Sequence, residues 1–359
     1  MRIFAFHLLN DFSGSPKVLS QLIKGWDINH IDVQVCSSFQ NNGFLSGIPP
    51  WIKRRIVWYR FYDNKLLRVW ALVMSQFLLL VKFFFIVKKE DVIYVNTVLP
   101  FGAGLLGKLK GCRVIYHIHE TTMKPAALKS FLFGIVKLTA DDVVYVSQYL
   151  ASQEPMPGKQ SHVLYNAIPE EFVEKSLRTP RDKTMPQNVL MVCSLKVYKG
   201  VFEFVRLAKK LKQYRFRLIL NAPLQEIEVF FKGVELPENL EFYPTQRDVI
   251  PHYAWADLIM NLSHPDSWVE TFGLTIIEGM AFDMPAVVPP VGGITEVVDN
   301  GFNGFHVNPH DIDELKKIIQ QLFLNARDYA RFSENAGVKL NQFREKAFIE
   351  GSLRILEKK

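Results

Sequence analysis

Two carboxylates, Glu270 and Glu278, bracket the uncharged run Thr-Phe-Gly-Leu-Thr-Ile-Ile. The run follows Asn261-Leu-Ser-His-Pro-Asp-Ser-Trp-Val, which reads as a strand end and a loop. Pro285 lies just past the end of the helix that this run opens. A helix is predicted over 273–282. A helix start leaves backbone N–H groups unpaired and carries partial positive charge. The amides of Phe272, Gly273 and Leu274 are therefore a seat for phosphate, with Gly273 expected to let a ligand approach the backbone closely. Glu278 falls one turn beyond Leu274 on the same face, about 6 Å along the axis. That is the spacing of a diphosphate and its ribose, and a carboxylate there can accept from two ribose hydroxyls. Glu270, ahead of the helix, reaches toward a sugar. A solvated helix Glu and an ordinary loop Glu would explain either residue alone, but not the whole pattern.

A second cluster, His117-Ile-His119-Glu120, ends a strand at the carboxyl edge where open α/β sheets bind ligands. A metal reading of it lacks a third placed ligand. Satisfied structural histidine is the plainer account of each ring, and His117 is expected on the opposite strand face. Gly292-Gly293, after a strand and Pro289-Pro290, reads as a tight loop near a ribose or base, or as a plain turn.

The elements that would position these residues alternate along the chain. Short apolar runs at 2–6, 32–36, 92–96, 113–117 and 143–147 read as parallel strands covered on both faces, separated by helical stretches. The polar stretch 170–187, with two prolines, reads as a domain linker. The strand pattern restarts at 189–193, 216–220, 240–243, 258–262 and 286–288, with helices over 201–212 and 312–324. The predicted fold class is α/β: two doubly wound Rossmann-like domains facing across a cleft. The expected division is 1–170, a linker over 171–187, a second domain over 188–335, and a C-terminal helix over 336–359 packing back on the first domain.

The chain has 359 residues, 48% hydrophobic and 22% charged, which excludes a disordered polymer. A formal charge of +7 favours anionic partners. Cys36, Cys112 and Cys193 have neither metal-ligand spacing nor an even count, so a reducing cytosol is the simplest expectation. The first residues read as a strand and loop, not a signal peptide. The apolar stretch 69–87 follows Trp51 to Trp70, where aromatic residues interleave with Lys53, Arg54, Arg55, Arg60, Lys65 and Arg68. It reads as a buried helix, as a surface resting on an anionic membrane, or, least readily, as a span.

The stretch 267–304 closely resembles glycosyltransferase family 4, whose signature is two glutamates separated by seven residues. The likeness continues more weakly over residues 2 to about 324. It implies a retaining enzyme of GT-B fold, a nucleoside-diphosphate sugar as donor, and no obligatory metal or other cofactor. It also implies donor-binding roles for Lys199, after the strand at 189–193, and for Gly14 and Ser15, after the first strand. The family usually has Gly-Arg-Leu where this chain has Cys193-Ser194-Leu195, and Gly-Gly where it has Gly14-Ser15. The expected Arg is missing, so Lys196 is the candidate second cation beside Lys199. The resemblance points to His119 as the histidine that contacts the donor sugar.

On this reading a hexose or deoxyhexose passes to a hydroxyl of a glycan or lipid-linked saccharide in surface polysaccharide (lipopolysaccharide or O-antigen) synthesis. Glu270 and His119 are the catalytic candidates. Glu278, Lys199, Lys196, Gly14, Ser15 and the Phe272–Leu274 amides bind the donor, and no residue is assigned to a metal. The protein is expected in the cytoplasm, or peripheral on the inner face of the cell membrane. Rival readings are a GT-B isomerase or epimerase and a non-catalytic sugar-nucleotide-binding subunit. A nucleic-acid partner is not expected, because only Trp51–Trp70 offers a basic aromatic stripe.

Overall fold

The computed structural model describes residues 1–39, 42–180 and 185–358. It divides into two compact units: Met1–Tyr165 together with Phe348–Lys359, and Asn166–Ala347.

Among the described residues, the first unit is built on seven strands: β1 (Arg2–Phe6), β2 (Asp32–Ser37), β3 (Lys53–Ile56), β4 (Val92–Asn96), β5 (Arg113–Ile118), β6 (Asp142–Tyr145) and β7 (Gln160–Val163). They pair in parallel in the order β3-β2-β1-β4-β5-β6-β7. The crossover helices are α1 (Gly14–Ile28), α2 (Lys65–Phe84), α3 (Phe101–Lys110), α4 (Ala126–Thr139) and α5 (Gln148–Gln153). All of β4 is buried, as a central parallel strand covered on both faces must be. The direction of strand addition reverses between β1 and β4. Such a switch point leaves a crevice at the carboxyl ends of the strands.

The second unit opens with α6 (Glu170–Arg178). It continues through β8 (Asn188–Ser194), α7 (Val201–Lys210), β9 (Arg215–Asn221), α8 (Leu224–Phe230), β10 (Leu240–Tyr243), α9 (Ile250–Trp255) and β11 (Leu258–Met260). It ends with α10 (Leu274–Met280), β12 (Ala286–Val288), α11 (Ile294–Val297), β13 (Gly304–His306), α12 (Ile312–Leu324) and α13 (Ala326–Leu340). Its parallel sheet runs β10-β9-β8-β11-β12-β13, with the switch point between β8 and β11. A final helix, α14 (Glu345–Glu357), begins in the second unit and lies mostly in the first.

The linker expected over 171–187 is in part a helix. In α6, Glu170 and Glu171 occupy the first turn and Lys175 and Arg178 the last, matching the helix dipole at both ends. Val173 is buried, and Phe172 packs edge-on against Tyr253 and Phe282. The polar composition belongs to the solvated face of an amphipathic helix. Residues 181–184 of that stretch lie outside the described residues.

The apolar stretch 69–87 lies largely in α2, which starts where Asn64 Oδ1 accepts the amides of Leu66 and Leu67. This helix is long and apolar enough to cross a membrane. Its inner face is a layer of the fold: Phe83 packs edge-on against Phe4 and Phe6 of β1, and Gln76 Oε1 accepts the Gly102 amide at 2.9 Å. The buried-helix reading holds for that face alone. Leu66, Trp70, Val73, Phe77, Val81 and Phe84, spaced by three and four residues, form an exposed apolar stripe on the other side.

Candidate active site

In the second unit the carboxyl ends of β8 and β11 carry Lys199 and Glu270, which form an ion pair. Glu270 Oε1 also accepts from Ser263 Oγ at 2.6 Å and from Asn261 Nδ2 at 3.4 Å. Burial alone would favour the neutral acid. Lys199, helped by Ser263 and Asn261, overrides it and holds the Glu270 carboxyl below the usual range. Lys199 Nζ lies 5.0 Å from the centre of the Trp268 ring, which stacks on Tyr198. The His264 amide donates to the Tyr198 carbonyl at 2.8 Å, tying the Lys199 turn to the loop that carries Glu270.

Two glycines fix this loop. Gly200 has φ +76°, and a Cβ there would stand 2.2 Å from the Leu262 carbonyl oxygen. Gly292 has φ +112°, and its Cβ would stand 2.4 Å from the carbonyl oxygen of Glu270. The loop predicted near a ribose or base is therefore first a support for Glu270. Gly273 also has a packing role. A Cβ there would meet Ile294 Cγ1 at 2.9 Å, so close packing against α11 also requires the glycine.

Glu278 is buried on α10, where its Oε2 accepts from Tyr253 Oη at 2.5 Å. Burial, with Glu278 beside it, keeps that phenol protonated far above its ordinary range. The helix is shorter than the predicted 273–282; Leu274 opens it and Gly273 caps it. Lys196, the candidate second cation, is solvent-exposed, whereas the Lys199 side chain is 14% exposed. Burial pushes the neighbouring Cys193 thiol up to about 12, so it stands as a neutral thiol.

In the first unit Asn96, the last residue of β4, joins three segments. Its Oδ1 accepts from His119 Nε2 at 2.9 Å, and its Nδ2 donates to the Ser15 carbonyl at 3.1 Å and meets His7 Nδ1 at 3.0 Å. Gly14 and Ser15 are the first residues of α1. The rings of His117 and His119 lie 4.3 Å apart, centre to centre. His117 thus shares the side occupied by His119, contrary to expectation, because residues two apart along a strand point the same way. Its Nδ1 pairs with Tyr94 Oη at 2.8 Å. Burial depresses both rings, His117 to about 3 and His119 well below its ordinary value, the latter helped by His117 and His7. His119 is therefore a neutral imidazole with its proton on Nε2. Burial raises Glu120 to about 7, although the His119 amide donates to it at 3.2 Å.

Sequence reasoning passed over Asn96, Ser263, Trp268 and Tyr253. For Asn96 a signal existed: a polar residue closing the apolar run Val-Ile-Tyr-Val at a switch point.

Each sheet follows the strand order of a Rossmann-like domain, and each switch point carries polar side chains. Residues 12–172 match the model of Glycosyltransferase Family 4, and residues 173–338 match that of Glycosyl transferases group 1. The chain belongs to this glycosyltransferase family. It is 25% identical over 281 residues to N-acetyl-alpha-D-glucosaminyl L-malate synthase of Bacillus anthracis, spanning 72% of each chain. Anabaena HepE, solved in complex with UDP and glucose, superposes with a TM-score of 0.79 at 19% identity, covering 100% of both chains. Sucrose-phosphate synthase from Thermosynechococcus elongatus superposes with a TM-score of 0.80 at 17% identity, covering 99% of this chain and 98% of that one. These likenesses establish the GT-B fold with its two Rossmann-like domains.

Proposed function

We propose that this glycosyltransferase moves a hexose or deoxyhexose from a nucleoside-diphosphate sugar to a hydroxyl of a glycan or lipid-linked saccharide, with retention, in surface polysaccharide synthesis. The observation that carries the donor half is the Lys199–Glu270 pair, held between two glycine-tight turns at a β8/β11 switch point. A diphosphate recruits Lys199, and the carboxylate it leaves accepts from sugar hydroxyls and orients the ring. As the glycosidic C–O bond breaks, Lys199 and the Phe272–Leu274 amides stabilise the charge growing on the diphosphate. Because α10 has only seven residues, most of that work falls to Lys199. Glu278 holds the ribose, Gly14 and Ser15 flank the phosphate, and neutral His119 contacts the sugar without adding charge. Front-face attack, with the leaving phosphate taking the acceptor proton, fits the absence of an assigned second carboxylate nucleophile. The family resemblance implies no obligatory metal for this chemistry. HepE, of the same fold, has been solved with UDP and glucose, which supports a donor of this class.

The acceptor half rests on the exposed stripe of α2. Ile56, Trp58 and Phe61 are exposed beside α2, where Lys82 donates to the Ile56 carbonyl at 2.7 Å and Trp58 packs edge-on against Trp70. Arg68 stacks on Phe61 and Lys110 on Phe84. An apolar face rimmed by cations suits an anionic membrane surface, where a lipid-linked acceptor would lie.

The donor reading is tested by titrating a panel of nucleoside-diphosphate sugars and assaying transfer. One donor is expected to bind and turn over, with Glu270→Gln lowering kcat by about 100-fold or more. Full activity in Glu270→Gln overturns the assignment. Tight binding without any transfer or isomerisation favours a non-catalytic subunit.

A further inference from the structure

Away from the residues assigned above, three side chains from distant parts of the sequence converge. Glu203 lies in the first turn of α7, His264 in the loop after β11, and His310 in the turn before α12. Glu203 is 4% exposed and His264 9%. His264 Nε2 is 3.0 Å from Glu203 Oε2, and His310 Nδ1 is 4.0 Å from Glu203 Oε1. One ligand atom from each residue can be chosen so that all three lie within 4.8 Å of one another, the one such group of three among the described residues. The two imidazole rings are 4.3 Å apart.

The buried pair is the informative part. Glu203 Oε2 and His264 Nε2 are both enclosed, yet neither makes an aligned hydrogen bond despite their 3.0 Å separation. An unsatisfied buried polar atom costs about 1–3 kcal/mol, so two facing each other call for a shared partner. A cation between them provides one. Ligand atoms on a tetrahedral Zn(II) ion stand about 3.3 Å apart. His264 Nε2 is 3.0 Å from one Glu203 oxygen and His310 Nδ1 is 4.0 Å from the other. The set spans no more than 4.8 Å, so a small inward shift of half-exposed His310 completes the triangle. Arg206 Nη1 approaches Glu203 Oε1 only to 3.7 Å, from an exposed position. His310 Nε2, on the other side of its ring, lies 4.0 Å from Asp266 Oδ1. A carboxylate behind the far nitrogen is the arrangement that orients metal-binding histidines.

We propose that Glu203, His264 and His310 bind a divalent transition ion of the Zn(II) class through the Glu203 carboxylate, His264 Nε2 and His310 Nδ1, with Asp266 orienting His310. Two nitrogens and one oxygen suit such an ion better than Mg(II) or Ca(II). The ion is a clamp, not a reactant. It ties the first turn of α7, just past Lys199 and Gly200, to the loop whose Ser263 holds Glu270. The proposal goes beyond the transferase reading and does not depend on it.

The test uses the full chain, free of any affinity tag and stripped with chelator, titrated with Co(II) and then Zn(II). One Co(II) per chain is expected, with visible bands of nitrogen and oxygen ligation, displaced by Zn(II). Zn(II) is expected to raise the melting midpoint by a few degrees. His310→Ala, a change at a half-exposed position that leaves the core intact, and Glu203→Gln should each weaken Co(II) binding by at least about tenfold. Asp266→Asn should weaken it by about tenfold. The proposal is overturned if the wild-type chain binds no Co(II), if His310→Ala binds it as tightly as wild type, or if a thiolate-to-cobalt band places the ion on a cysteine.

Discussion

Gly292 sits against the backbone of Glu270 so closely that a Cβ on it would stand 2.4 Å from the Glu270 carbonyl oxygen. The glycine also holds φ +112°, which residues with a side chain rarely adopt. Gly292→Ala should therefore cost about 1–3 kcal/mol in backbone strain, plus whatever the carbonyl shift adds. Transfer should fall further than stability explains, because the displaced carbonyl belongs to the residue proposed to orient the sugar. Gly301→Ala is the control: φ is +79° but nothing lies within 4 Å, so about 1 kcal/mol should be lost with activity kept. Denaturant midpoints and initial rates for the two variants decide it. Equal activity loss in both would remove Gly292 from the site.

Lys199 and Glu270 should behave as a coupled pair. Lys199→Met strands a carboxylate that is 17% exposed, and the chain should lose about 2–4 kcal/mol. Lys199→Met with Glu270→Gln should recover most of that stability and none of the activity. A double-mutant cycle in denaturant, with donor affinity measured alongside, separates the structural coupling from the phosphate contact. Donor binding unchanged in Lys199→Met would exclude Lys199 as the phosphate cation.

The first unit should weaken in acid through its histidines. His7, His117 and His119 are all held neutral by burial, with His117 at about 3. Below about pH 6.5 the unfolded chain binds protons that the folded chain refuses, so stability drops as pH falls, by about 1.4 kcal/mol per pH unit for His117, with His7 and His119 adding in the same direction. Glu120 acts in the opposite sense. Its folded value of about 7 means its contribution falls as pH rises from about 4.5 to 7. Between about pH 4.5 and 6.5 His117 alone offsets Glu120, and His7 and His119 tip the balance toward weakening in acid. His117→Gln should flatten the dependence by about 1.4 kcal/mol per pH unit there. An identical slope in the variant, from urea melts at pH 5 and 6.5, would show that His117 titrates normally.

Vesicles of anionic lipid should float the chain, and Trp70→Glu with Phe77→Glu should abolish flotation. Both side chains are more than half exposed, at 52% and 59%, so stability should change little. Transfer to a water-soluble acceptor should also be unaffected. Raising salt should weaken docking, as the basic rim is screened over about 10 Å at 0.1 M. Flotation of the double variant like wild type would dissociate α2 from any membrane role.

The interior strands were readable because parallel strands covered on both faces leave unbroken apolar runs, as in Ile3–Phe6 and Val92–Val95. The strands missed were β3, β7 and β13, Lys-Arg-Arg-Ile, Gln-Ser-His-Val and Gly-Phe-His, all at sheet edges. An edge strand packs and pairs on fewer sides, so its composition is free to look like a loop. The Glu270-to-Glu278 spacing was legible because helix geometry links those positions locally. The partners that fix them were not. Asn261 and Ser263 reach Glu270 only through the fold of the loop between them, Tyr253 reaches Glu278 from a separate helix, and Glu203, His264 and His310 meet across more than a hundred residues. The face of His117 was misjudged even though strand periodicity alone decides it.

The last helix has a consequence for the order in which the chain acquires structure. Within the first unit, Trp26 Nε1 donates to Ser352 Oγ at 3.0 Å, Ile349 fills the space over Gly25, and Arg113 caps the carbonyls of Ile355 and Leu356. The first half of the sequence therefore cannot finish its core until α14 has been synthesised. The Asn166–Ala347 unit is an insertion between the two pieces of its neighbour. Synthesis from the N-terminus normally favours the first domain; here it should favour the second, leaving the nascent N-terminal sheet with Trp26 uncovered while it waits.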